Sequence, residues 1–149
     1  MENSITEKEG DLLNMLDQFD VVLQGCNAFH TFGAGIARQF RERFPQTYEA
    51  DLTTKFGDID KVGTYSKSKV GSTDVLNCYT QYAYGTHSIQ FDYNAFRRVL
   101  KSVKSEYPGK RIGMPMIGAG LAGGNWNDIM SIIKEELPGE SVTIIKYKQ

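Results

Sequence analysis

Apolar positions along this chain follow two rhythms. Short unbroken runs suit strands buried on both faces, and they fall at Asp20–Gly25, Asp74–Thr80, Arg111–Ile117 and Val142–Ile145. Two shorter strands are predicted near Ile5–Glu7 and Gly63–Lys67, the latter divided from Asp74 by the polar turn Val70-Gly71-Ser72-Thr73. Between the runs the period lengthens to that of a helix. Gly35–Phe44 carries Ile36, Phe40 and Phe44 at four-residue spacing among charged neighbours. Pro45 ends that helix and starts another over Gln46–Lys55, closed by Gly57. Tyr93–Ser105 gathers Ala95, Phe96, Val99, Leu100 and Val103 on one face. Trp126–Leu137 does the same with Trp126, Ile129, Met130 and Ile133, behind Asn125 as its N-cap. Asp11 opens a short helix near the start. Strands alternating with helices predict an α/β protein: three layers, α/β/α, around a mixed, largely parallel sheet.

Two glycine-rich loops stand between a strand and a helix. The first is Gly33-Ala34-Gly35-Ile36-Ala37, and the second is Gly118-Ala119-Gly120-Leu121-Ala122-Gly123-Gly124, directly after Ile117. Glycines at the carboxyl end of a strand bare their backbone N–H groups, and the following helix adds its N-terminal dipole. One such loop suits a phosphate; two converging on one crevice suit a diphosphate, and so a nucleotide-like ligand. The alternative is that the glycines only make tight turns.

The second loop also matches G-x-G-x-x-G through Gly118, Gly120 and Gly123, a dinucleotide-binding fingerprint. That reading needs a further strand ending in an acidic residue about 20 positions on. The sequence ends at Gln149, so another dinucleotide-binding fold is the remote alternative. A P-loop motif is absent. Residues 1–149 read as a single domain, 40% hydrophobic and 23% charged. A net charge of −1 gives no general footprint for nucleic acid, and the basic cluster from Arg97 to Arg111 reads as a solvated helix face. No run approaches a membrane span, and the opening residues do not form a signal peptide. With Cys26 and Cys78 read as buried reduced thiols, a cytoplasmic setting and a monomer are expected. Two His and two Cys at these spacings make no metal ligand set, and no cofactor is expected.

The segment Gln24-Gly25-Cys26-Asn27-Ala28-Phe29-His30 is polar where a crevice at strand ends would be lined. Asn27 offers a donor and an acceptor to a sugar hydroxyl, or bonds its own backbone as a loop asparagine. His30 is a candidate acid or base near neutral pH, or a surface histidine; His87 has less behind it.

Taken in order, Gly10-Asp11-Leu12, Cys26-Asn27, Gly33 to Ala37 and Pro115 to Leu121 give the chain a resemblance to the macro domain family over nearly its whole length. It looks closest to the subgroup of ADP-ribose-1''-phosphate phosphatases and terminal ADP-ribose glycohydrolase. The resemblance implies a macro-domain-like sandwich that binds ADP-ribose or ADP-ribose-1''-phosphate. Asp11 and the Leu12 backbone would meet adenine, with Tyr147 flanking it. Asn27 would face the distal ribose. Gly33, Ala34, Gly35, Ile36 and Ala37 on one side, and Ile117, Gly118, Ala119, Gly120, Leu121, Ala122 and Gly123 on the other, would wrap the diphosphate. Asp11 is also an ordinary N-cap by its position.

The chain departs from that pattern where glycohydrolase chemistry is done. The branch relies on a lysine and an aspartate at positions matching Gln81 and Ala122, and neither side chain here can act as nucleophile or general acid–base. The expectation is therefore a phosphatase acting on ADP-ribose-1''-phosphate, with Asn27 and His30 as catalytic candidates. The alternatives are a non-catalytic reader of ADP-ribose and an ADP-ribosyl hydrolase acting on modified protein.

Overall fold

The computed structural model describes residues 4–85, 88–120 and 122–147. Leu121 and His87 lie outside the described residues. Six strands form one sheet: β1 (Ser4–Gly10), β2 (Val21–Cys26), β3 (Tyr65–Val70), β4 (Thr73–Tyr79), β5 (Arg111–Pro115) and β6 (Ser141–Tyr147). Their spatial order is β1-β6-β5-β2-β4-β3, with only the β3–β4 pair antiparallel. The helices are α1 (Gly35–Arg43), α2 (Pro45–Leu52), α3 (Tyr93–Glu106) and α4 (Trp126–Glu136).

Alternation along the central strands divides the core in two. Val21, Leu23, Leu76, Cys78, Met114 and Ile144 face one way and pack with Phe96, Val99 and Leu100 of α3 and with Ile129 and Ile133 of α4. Val22, Val75 and Ile145 face the other way, against Phe40 of α1 and the leucines that follow Asp11. This is the three-layer α/β/α arrangement that the apolar pattern predicts. Asp92 caps α3 and Asn125 caps α4, each side chain accepting a first-turn N–H. Two basic residues of α3 are held in place: Arg97 pairs with Glu135 and Glu136 of α4, and Lys101 with Glu136.

Two elements differ most from the sequence pattern, while α2 ends at Leu52, β3 runs on to Val70 and β5 stops at Pro115. β1 runs the full seven residues to Gly10, in parallel register with β6 from Ser4–Ser141 to Gly10–Tyr147. Its middle, Thr6-Glu7-Lys8-Glu9, is exposed and polar because β1 is an edge strand, so no apolar period marks it. The helix opened by Asp11 is two short 3-10 turns, Leu12–Asn14 and Leu16–Gln18.

At the amino ends of β2 and β5, Asp20 and Arg111 form a clasp. Asp20 Oδ2 accepts the Arg111 backbone N–H at 2.8 Å, and Oδ1 accepts a guanidinium N–H at 3.1 Å. The guanidinium and backbone bonds hold the Asp20 carboxyl at about 2, below its ordinary 3.8. A depressed carboxylate pKa means that the clasp stabilises the fold above its ordinary pKa, and that this is lost as pH falls toward about 2. Asp20→Asn is therefore expected to lower unfolding stability by about 0.5–1 kcal/mol above pH 4, a half-exposed pair being screened by solvent. Urea titrations at a series of pH values should show the gap closing as pH falls toward about 2. A gap independent of pH would show that the charge contributes nothing.

Candidate functional site

The β2–β5 ladder pairs only Val21 with Ile112 and Val22 with Gly113, and beyond that the two strands part. Their loops then leave in opposite directions: β2 leads to α1 on one face of the sheet, and β5 to α4 on the other. A crevice at carboxyl strand ends, where neighbouring connections leave to opposite faces of the sheet, is where open α/β sheets bind ligands.

A cavity of about 560 Å³ fills the gap. Gly33, Ala34, Gly35, Ile36 and Ala37 line one wall, and Ile117, Gly118, Gly120 and Ala122 line the other. Gly25, Cys26 and Thr80 lie on the floor beside Asn27, Thr31, Gln81 and Tyr84. Ala119 and Gly123 belong to the second loop without being part of the lining. The structure thus brings the two glycine loops to one crevice.

The walls are built differently. α1 begins at Gly35, in the left-handed region at φ +58°, and its N-cap Ala34 has no side chain to bond the first-turn amides. Those amides face the cavity end of the helix with their dipole, an arrangement suited to an anion. The second loop braces itself, Gly124 N donating to Gly118 O at 2.8 Å and Gly123 N to Gly120 O at 3.0 Å. Gly118 needs both a φ of +79° and the missing Cβ, which would stand 2.4 Å from the Phe91 ring. Gly120 has open space around it and no such constraint.

Asn27 lines the cavity while its carboxamide folds over its own loop: Oδ1 accepts Phe29 N–H at 2.8 Å, and Nδ2 donates to Thr31 Oγ1. His30 is placed elsewhere. It adopts φ +58°, its carbonyl accepts the Tyr48 hydroxyl, and Nδ1 bonds Asp51 Oδ2 at 2.7 Å, so the imidazole lies against α2 and off the cavity lining. Asp51 is fully buried and also accepts Tyr79 Oη–H at 2.6 Å. Among the described residues the only ionisable side chains in the lining are Cys26 and Tyr84, and burial pushes the Cys26 thiol well above its ordinary value. Gln81 donates to Ala83 O at 2.8 Å. Among the described residues the cleft therefore offers amides, hydroxyls and backbone N–H groups, but no carboxylate, lysine or imidazole.

Asp11, Leu12 and Tyr147 lie beyond the lining, at the ends of β1 and β6. Asp11 caps the 3-10 turn through Leu13 N–H at 3.1 Å and accepts Asn14 Nδ2 at 3.2 Å, with Arg43 at 3.6 Å. Strand register sets Tyr147 opposite Gly10, next to Asp11, and its ring is exposed. Leu12 is buried. Ile36 joins the two regions, lining the cavity and packing against the cluster that holds Leu12. Gly25 belongs to the Gln24–His30 segment expected to line a crevice, and it does line the cavity; Thr80, Thr31 and Tyr84 were not legible as site residues.

No family model matches the chain. An uncharacterized 17.5 kDa protein from the tk-vs intergenic region of Enterobacteria phage T4 is 34% identical over 146 residues, covering 94% of each chain. The two proteins belong to one family. Among solved structures, a protein from Bacteroides thetaiotaomicron superposes with a TM-score of 0.82 at 24% identity, over 95% of this chain and 99% of that one. The macrodomain of Mycobacterium tuberculosis DarG gives 0.73 at 22%, over 95% and 96%. Thermosipho africanus DarTG in complex with ADP-ribose gives 0.68 at 18%, over 97% of this chain and 42% of that one. The fold is that of a macrodomain.

Within this fold the His30–Asp51 pair ties the first loop to α2. His30→Ala leaves the buried carboxylate short of one of its two donors and is expected to cost about 1–3 kcal/mol. His30→Asn, which tolerates the left-handed φ and keeps a donor, should recover part of the loss. Urea unfolding of both variants measures this, and equal stability in His30→Ala and wild type would remove the tie.

Proposed function

We propose that the cleft binds ADP-ribose, with the diphosphate between the two glycine loops. The observation that carries this is the convergence of an uncapped helix N-terminus and a glycine wall on one cavity at the split between β2 and β5. The site has a direction. Asp11 and Tyr147 mark the adenine end at β1 and β6, where a carboxylate can accept from an exocyclic amine and an exposed ring can stack on a base. Asn27 and the end of β4 mark the distal sugar. β6 and β4 lie three strand steps apart, about 14 Å at the usual spacing, which suits an extended ligand lying across the strand ends. The ADP-ribose held by the DarTG structure of the same fold supports this reading.

The derivative we assign to it is ADP-ribose-1''-phosphate, with hydrolysis to ADP-ribose and inorganic phosphate. Water adds to phosphorus, the bond from phosphorus to the C1'' oxygen breaks, and the proton goes to the departing sugar oxygen. Backbone N–H groups of the loops would stabilise the charge that develops, and the Asn27 carboxamide would position the water. His30, held by Asp51, acts by fixing the loop that carries Asn27. Hydrolysis of ADP-ribose esters by the lysine–aspartate route has no residues for it among the described residues of this lining. The same lack of an acid–base side chain favours a second reading, a reader that binds ADP-ribose without turnover.

Calorimetry with ADP-ribose should give binding to wild type and none to Gly120→Glu, whose side chain enters open space and sets a negative charge in the cleft. Unchanged affinity in that variant would take the diphosphate out of the cleft. Asp11→Ala should weaken ADP-ribose by about 1–3 kcal/mol, and IDP-ribose should bind wild type less tightly than ADP-ribose. Equal binding of the two ligands would leave Asp11 as a helix cap alone. Phosphate release from ADP-ribose-1''-phosphate should exceed a heat-killed control and fall in Asn27→Ala. Binding without release would leave the reader.

A further inference from the structure

We propose that Arg43 is a positioning residue for the base: acting through Asn14, it turns the Asp11 carboxylate toward the exocyclic amine of adenine. This rests on the ADP-ribose reading above, which sets adenine at Asp11. Left alone, a carboxylate on a short turn can rotate about its side-chain bonds. Here both of its oxygens are engaged. Oδ1 accepts the Leu13 N–H at 3.1 Å, and Oδ2 accepts Asn14 Nδ2 at 3.2 Å with Arg43 Nη1 at 3.6 Å. A carboxylate has about four acceptor sites, so each oxygen keeps one for a ligand.

Asn14 makes the arrangement directional. Its Oδ1 accepts Arg43 Nη2 at 2.6 Å while its Nδ2 donates to Asp11. A guanidinium only donates and a carboxylate only accepts, so the carboxamide between them has one orientation. The reverse orientation would set its oxygen against the carboxylate and its N–H groups against the cation. Arg43 thus fixes the amide, and the amide fixes the carboxylate. Arg43 is itself held. It stands in the last turn of α1, where a cation suits the helix dipole, and its guanidinium lies 5.5 Å from the centre of the Phe44 ring.

The helix that carries Arg43 is the one whose other end meets the cavity. Gly35 and Ile36 of α1 line it, and at the far end of the same helix Arg43 reaches the turn that holds Asp11. That turn also rests on α1, because Leu12, Leu13 and Leu16 share one apolar cluster with Ile36, Phe40 and Phe44. One helix thereby sets the phosphate end and the base end of the cleft together. The polar chain itself is open to solvent, Arg43 being 40% and Asp11 33% exposed. Pairs this open contribute little to folding, so their effect falls on where the carboxylate points.

Calorimetry with ADP-ribose and IDP-ribose reads this as a ratio. IDP-ribose carries a carbonyl where ADP-ribose carries the amine, and its phosphates are the same, so a general loss of positive charge affects both ligands alike. Arg43→Met keeps the stem and removes the guanidinium. It should lower the preference for ADP-ribose about fivefold, one hydrogen bond's worth. Asn14→Ala should do the same, and the double variant no more than either alone, because the two act in series. Arg43→Lys, which keeps a donor for Asn14 Oδ1, should recover part of the preference. Melting temperatures should stay near that of wild type. A preference unchanged or raised in Arg43→Met, or losses that add in the double variant, overturns the positioning role and leaves the binding reading intact. Wild type that binds both ligands equally takes the base away from Asp11, and the role of Arg43 with it. Wild type that binds neither overturns the binding reading itself.

Discussion

The ladder between β2 and β5 is short, and the rest of the molecule is arranged around that fact. Two residue pairs hold these central strands together at their amino ends, with the Asp20–Arg111 clasp beside them. Had the ladder continued to Cys26 and Pro115, backbone would occupy the place where the cavity stands. Each strand is secured instead by its other neighbour, β2 by all six residues of its pairing with β4 and β5 by its full pairing with β6. The sheet can therefore divide at one end without losing continuity. The loops that leave the division go to opposite faces, and glycines let their backbones approach the opening.

Much of this was legible in the sequence. Buried strands appear as unbroken apolar runs and the helices as four-residue spacing, because burial on two faces and on one face leave different periods. The alternation of the two then dictates a parallel sheet between helix layers. β1 was only half visible, since an edge strand with solvent on its side needs no apolar period. The 3-10 turns after Asp11 look like helix in sequence because Leu12, Leu13 and Leu16 supply helical spacing whether the turns are tight or regular.

The site was legible where its chemistry is local and hidden where it is not. Both glycine loops are contiguous in sequence, and the structure brings them to one cavity. Thr80 belongs to it only through the parallel register of β2 and β4, which no local pattern encodes. His30 shows the reverse case. Its closeness in sequence to Asn27 suggested a shared cleft, but a carboxylate 21 residues further on, at Asp51, draws the imidazole toward α2. Around Asp51 the polar contacts continue through Tyr79 to Ser66 and Asn77, and Asn77 accepts from Gln24 and donates to the Thr47 carbonyl of α2. Hydrogen bonds with fixed partners set the position of α2 more narrowly than apolar contact alone would.

The two edges of the sheet have a consequence of their own. β1 presents exposed Glu7, Lys8 and Glu9, and β3 presents exposed Lys67 and Lys69. An uncovered edge is a template on which another chain can add a strand, and a row of charges is among the commonest means of preventing it. A second molecule pairing along either edge would have to bring its own charges into register with these or leave them stranded. The residues that concealed β1 from a reading of apolar period are thus the ones that discourage the folded chain from growing into a fibre.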